Sequence, residues 1–174
     1  MPTSTEYIDI FFALRLRSTD LPNGYRGQSR PTSINVQDGV GQEYIFWLQD
    51  LASSFSIAHS IIIFETTALA ETKFNQSLTE RHQTTFHVNE GFEAADNQLY
   101  ATNIAWGCDQ SVTTANSEFT IRTRYCMSVA TYKNVYLEIS GQTFPDRYIT
   151  MEKYFELVKI LDQRAGEVLR LMKS

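Results

Sequence analysis

Residues 119–140 read FTIRTRYCMSVATYKNVYLEIS, and residues 150–172 read TMEKYFELVKILDQRAGEVLRLM. The first stretch is two alternating runs that meet at Tyr132-Lys133-Asn134, the pattern of an antiparallel hairpin. Two registers compete for it. A two-residue loop of Lys133 and Asn134 places Val135, Leu137 and Ile139 on the face of Arg124, Cys126 and Ser128. A three-residue loop of Tyr132, Lys133 and Asn134 pairs Val129 with Leu137 and Met127 with Ile139, which makes one coherent apolar face. The second register is therefore expected, with Asn134 in the left-handed region, where asparagine is better tolerated than most residues. Arg122, Arg124, Ser128, Glu138 and Ser140 then share the opposite, solvated face.

The second stretch is an amphipathic helix. Met151, Tyr154, Val158, Leu161, Ala165, Val168 and Met172 recur at alternating spacings of three and four. Thr150 supplies the N-cap, Glu152 complements the positive end of the macrodipole, and Arg170 and Lys173 complement the negative end. Phe155, Leu157, Ile160, Leu169 and Leu171 widen the apolar surface beyond a single seam. About three heptads are marginal for an independent coiled coil, so the stripe is expected to pack across the chain's own sheet.

Upstream, Ile8, Ile10, Phe12, Leu14 and Leu16 alternate as in a strand, while Tyr7, Phe11 and Leu14 form a helical stripe; periodicity leaves residues 6–17 open between the two. Leu21-Pro22-Asn23-Gly24 ends the element in either case. Residues 43–51 and 55–64 are apolar, β-branched or aromatic runs of strand length, joined near Ser53-Ser54. Thr66 or Thr67 caps a helix that presents Ala70, Phe74 and Leu78 and fades near Gln83. Strand patterns resume over 99–106 and 119–132. No internal repeat or linker interrupts the chain, so residues 1–174 are read as one domain. The expected fold is α+β: an antiparallel sheet of about five or six strands, with helices 67–83 and 150–172 packed on one face.

Composition agrees with a folded domain: of 174 residues, 43% are hydrophobic, 20% charged and 13% aromatic. The net charge of −5 argues against a general binder of nucleic acid or anionic membranes, and no run of lysines or arginines offsets it. Apolar stretches at 8–16 and 61–64 fall far short of the roughly 20 residues a membrane-spanning helix needs. Glu6, Asp9, Arg15 and Arg17 break any signal-peptide pattern in residues 1–17, so the sequence taken as complete reads as cytoplasmic. Its scarcity of lysine and wealth of Thr, Ser, Gln and Asn instead resembles the composition of exported bacterial proteins.

Several short motifs resemble those of small bacterial lipoproteins and exported domains. They are Asp20-Leu21-Pro22-Asn23-Gly24-Tyr25, Ile63-Phe64 followed by Ala70 and Phe74, Arg124 through Lys133-Asn134-Val135, and Leu161-Asp162-Gln163-Arg164. The order of elements is similar to the extracellular sensor domain of a mycobacterial serine/threonine kinase and, more distantly, to PsbP-type proteins. The resemblance implies an antiparallel sheet with helices laid on it, an extracytoplasmic setting and no shared catalytic residues. The chain departs from the pattern in carrying Lys133 where the strand turn has glycine, and it has no lipobox cysteine.

Chemistry is sparse. Cys108 and Cys126 face each other if their strands turn near Asn116-Ser117, which allows a disulfide, the more so in an exported domain; the alternative is two buried thiols. That register also sets Trp106 opposite Ser128. His82 and His87, with Glu80 and Glu90, match no zinc spacing, so no metal is expected. Asn75-Gln76-Ser77 fits the glycosylation pattern but lies within a helix. Gly39 and Gly41 precede neither a helix nor a phosphate-binding lysine, and no cofactor is expected. The best candidate surface is Arg122, Arg124, Tyr132, Tyr136 and Glu138, whose guanidinium and phenol groups suit a small polar ligand or a partner protein. The resulting reading is a non-catalytic, exported or surface-associated binding domain. The alternative is a small enzyme drawing on His82, His87, Glu90 and Cys108.

Overall fold

The computed structural model describes residues 4–27, 30–48, 56–80, 85–88, 99–109, 112–115, 120–145 and 148–171. Helix α1 (Ser4–Leu14) opens the chain and is followed by strands β1 (Tyr25–Gly27), β2 (Thr32–Ile34), β3 (Gly39–Leu48) and β4 (Ser56–Phe64). Helix α2 (Thr67–Glu80) precedes β5 (His87–Val88), β6 (Asn103–Cys108), β7 (Val112–Ala115), β8 (Thr120–Tyr132) and β9 (Val135–Thr143), and α3 (Met151–Leu171) closes the fold. The segment that fitted two periods is helical. Ile10, Phe11 and Leu14 bury one stripe of α1, while Ile8 and Phe12 stay exposed.

All pairings are antiparallel. The sheet runs β1-β3-β4-β9-β8-β6-β5, β2 extends the β3 edge as an eighth strand, and β7 pairs with the outer part of β8 as a ninth. The expected five or six strands are thus too few. The short strands β1, β2, β5 and β7, of two to four residues each, carry almost no alternation to read. The connection expected at Ser53-Ser54 lies outside the described residues, as does the end of the helix expected to reach residue 83.

The helices cover opposite faces of the sheet, not one. Ile57, Ile61 and Ile63 of β4 and Val135, Leu137 and Ile139 of β9 pack against α1 and α3, where Leu14, Tyr154, Leu157 and Ala165 are fully enclosed. Their neighbours Ile62 and Phe64, with Ala105, Met127, Val129 and Tyr136, pack instead against Ala70 and Phe74 of α2. Both faces of the central strands are dry.

That two-sided burial explains the hairpin. Tyr132 pairs with Val135, Ala130 with Leu137 and Ser128 with Ile139, so the loop is the two residues Lys133 and Asn134. The three-residue loop, which pairs Val129 with Leu137, is ruled out. Lys133, not Asn134, takes the positive φ, at 54°. Asn134 serves the turn through its side chain, which donates from Nδ2 to the Phe64 carbonyl at 2.7 Å. One coherent apolar face could not select the register, because either register buries apolar residues on both sides.

Polar groups fasten α3 to the chain's beginning and middle. Arg164 donates to both carboxylate oxygens of Asp20, each at 2.7 Å, and to the Arg15 carbonyl at 3.0 Å. Burial alone would raise the Asp20 carboxyl, but the hydrogen bonds and charge of Arg164 and the Arg17 amide outweigh it and hold it below its usual value. Asp162, buried on the same helix, accepts from the Tyr100 and Ala101 amides at 3.0 to 3.1 Å and from the Tyr132 hydroxyl at 3.0 Å. These contacts fix the segment before β6 against α3, where a Cβ at Gly166 would overlap the Tyr100 ring.

Candidate functional site

Side chains two apart on a strand share a face, and this places Arg122 and Arg124 together on the outer part of β8. Both are exposed. They line a cleft of about 500 Å³ with Thr123, Thr143, Phe144, Pro145 and Met151. The Arg124 carbonyl accepts from Thr143 Oγ1 at 3.3 Å, but neither guanidinium has a hydrogen-bond or ion-pair partner among the described residues. Met151 is the first residue of α3, capped by Thr150, whose hydroxyl accepts from the Lys153 amide at 3.3 Å. The positive end of a 21-residue helix therefore adjoins two guanidinium groups. Glu152 is exposed and does not line the cleft.

The rim and floor are built from the return between β9 and α3. The Phe144 amide donates to the Ile149 carbonyl at 2.8 Å and ties the end of β9 to the residues before α3; Tyr148 takes a φ of 55° and its ring meets that of Phe144 edge-on. A bulky residue at positive φ is held there only by its surroundings, and such positions concentrate at functional sites. Beneath the cleft, Cys108 and Cys126 stand directly opposite on β6 and β8 and form a disulfide, with Cα atoms 4.1 Å apart. Met151 Sδ lies 3.7 Å from Cys108 Sγ and 3.4 Å from Cys126 Sγ, while Thr143 Oγ1 lies 3.5 Å from the latter. Trp106, opposite Ser128, meets Phe155 of α3 edge-on.

The five residues singled out from the sequence do not form one surface. Arg122 and Arg124 share the cleft. Tyr132 lies on the same face but far along β8 and is 2% exposed, its hydroxyl spent on Asp162. Tyr136 and Glu138 lie on the α2 face, where the enclosed Tyr136 hydroxyl meets Ser77 Oγ at 2.9 Å and donates to Glu138 at 2.8 Å. Burial, and then the adjacent carboxylate, pushes both phenols well above their usual range, so each is a neutral structural group. Sequence reasoning missed Thr143, Phe144, Pro145 and Met151; the signal available was a proline two residues beyond a strand and immediately before the helix connection.

His82 and Glu90 lie outside the described residues. His87, on the short strand β5, stacks on Trp106 with ring centroids 4.5 Å apart. Among the described residues no group of three His, Cys, Asp or Glu side chains is placed to hold a metal ion. No helix among them is long and apolar enough to cross a membrane.

No protein-family model matches the chain, and no curated protein matches it in sequence. Its fold is similar to that in the crystal structure of the extracellular domain of PknH from Mycobacterium tuberculosis, with a TM-score of 0.51 and 12% identity over 94% of this chain and 97% of that one. At that identity the likeness is one of fold.

Proposed function

We propose that this chain is a non-catalytic, extracytoplasmic binding domain that takes an anionic group, a carboxylate or a phosphate, in the cleft at Arg122 and Arg124. The observation that carries the reading is the pairing of two exposed guanidinium groups, free of partners among the described residues, at the N-terminus of α3. Guanidinium matches carboxylate and phosphate geometry, and the helix end adds donors and positive potential. The disulfide beside the cleft supports an oxidising compartment, as does the fold shared with an extracellular domain. It also engages Cys108, the nucleophile that an enzymatic reading would draw on.

Calorimetric titration with citrate and with inorganic phosphate tests the proposal. Saturable binding should weaken as salt rises and fall at least roughly tenfold in the Arg122→Gln, Arg124→Gln double variant, with the melting temperature unchanged. Equal binding by parent and double variant would remove the cleft from consideration. A thiol assay on protein taken directly from its source organism tests the compartment; two free thiols per chain would contradict it.

A further inference from the structure

A second cleft, at the other end of β8, has a different chemistry. It encloses about 360 Å³ between the hairpin tip and the C-terminal part of α3, and Tyr100, Thr102, Lys133 and Arg170 are among its lining residues. Tyr100 is 54% exposed, far more than a core tyrosine. Its position is nevertheless set by contacts with α3. The Tyr100 amide is held by both oxygens of Asp162, and its ring lies over Gly166, where any side chain would displace it. One side of the ring is thus seated on α3.

Lys133 and Arg170 line the same cleft, and neither has a carboxylate partner among the described residues. Lys133 holds its left-handed conformation at the hairpin tip, a strain that glycine would not carry. The backbone alone gains nothing from lysine there, and an outlier of this kind points to a use for the side chain. An aromatic ring seated on α3 in a cleft that two cations also line suits a ring that carries negative charge: the ligand ring packs on the tyrosine face and the charge pairs. The chain's net charge of −5 disfavours a long polyanion, which leaves a small ligand.

We propose that Tyr100, Lys133 and Arg170 form a second binding site, independent of the Arg122–Arg124 cleft, for a small ligand with a carboxylate on a six-membered ring. Two sources share that chemistry, an aromatic acid and a uronic acid, and benzoate and glucuronate represent them. The test is titration of the ¹⁵N-labelled full chain with each, with acetate and methyl glucoside as controls for charge and ring alone. The amides of Tyr100, Thr102, Lys133 and Gly166 should shift saturably with at least one ring carboxylate, and more tightly than with either control. Saturation by benzoate identifies the aromatic source and saturation by glucuronate the saccharide. The Lys133→Gln, Arg170→Gln variant should lose roughly fivefold or more in affinity, Tyr100→Ala should lose the preference over acetate, and Arg122→Gln, Arg124→Gln should change neither. Acetate binding as tightly as the ring carboxylates, no saturable shift at these amides, or undiminished affinity in the Lys133–Arg170 variant would each overturn the proposal.

Discussion

His59 gives the sharpest test of the packing between α1 and the sheet. It is fully enclosed on β4, and its Nδ1 accepts from the Leu16 amide at 3.1 Å. The imidazole must therefore carry its proton on Nε2, which has no partner among the described residues. Burial, and then the positive charge of Arg164, depresses its pKa from 6.5 to about 3, with Asp20 offsetting part of the fall. The folded value lies below the unfolded one, so His59 costs nothing above pH 6.5; as the pH falls from 6.5 toward 3, the unfolded chain takes up a proton that the fold refuses. Each pH unit in that window removes about 1.4 kcal/mol of stability. Between pH 7 and pH 4.5 the loss comes to about 2.5 kcal/mol. Asp20 does not confuse the measurement, because its depressed carboxyl sheds stability only below the ordinary carboxylate range. Urea unfolding of the parent and of His59→Gln, which keeps an acceptor for Leu16 but cannot titrate, should be compared at both pH values. The parent should lose about 2.5 kcal/mol more than the variant across that interval. An equal loss in the two proteins would mean that His59 is protonated within the fold and that the enclosure of α1 is wrong.

The remaining expectations concern the turn, the bridge and the carboxylate clamp. Lys133→Gly should raise stability by up to about 1 kcal/mol in urea unfolding, and Lys133→Val should lower it, because only the glycine relieves the positive φ; a destabilising glycine would argue against the two-residue turn. Reducing Cys108–Cys126, which are 18 residues apart, should cost about 3 kcal/mol in the same assay. Asp162→Asn replaces one acceptor oxygen with an amide nitrogen, and the loss should be roughly 1–3 kcal/mol, visible as a lower melting temperature. A melting temperature unchanged by that substitution would show that the Tyr100 segment is not held by α3.

Helix α3 was legible because its stripe obeys a single period and its ends carry their capping and dipole residues. The position of the hairpin was legible for a similar reason, since two alternating runs flank one pair of turn-forming residues. Its register was not. The choice between two loops rested on keeping one sheet face apolar, and that criterion presumes a wet face on the other side. The run Ile61-Ile62-Ile63-Phe64 already speaks against a wet face, because all four residues are 6% exposed or less on a strand whose neighbours must point to opposite sides. An unbroken apolar run is the mark of a strand covered on both faces.

The same misreading decides how much of the site could be found. On a sheet with one wet face, Tyr132, Tyr136 and Glu138 are natural companions of Arg122 and Arg124. With α2 on one side and α1 and α3 on the other, even the phenols beside the hairpin turn are buried and find partners inside, Tyr132 in Asp162 and Tyr136 in Ser77 and Glu138. The outer part of β8 and the hairpin tip, by contrast, present exposed cationic side chains. Arg122 and Arg124 lie on the outer part of β8, and the hairpin tip carries Lys133 at the other end. Helices thus cover the middle of the sheet on both faces, and two clefts of this fold lie at opposite ends of β8, one with paired guanidinium groups and one lined by a tyrosine, a lysine and an arginine.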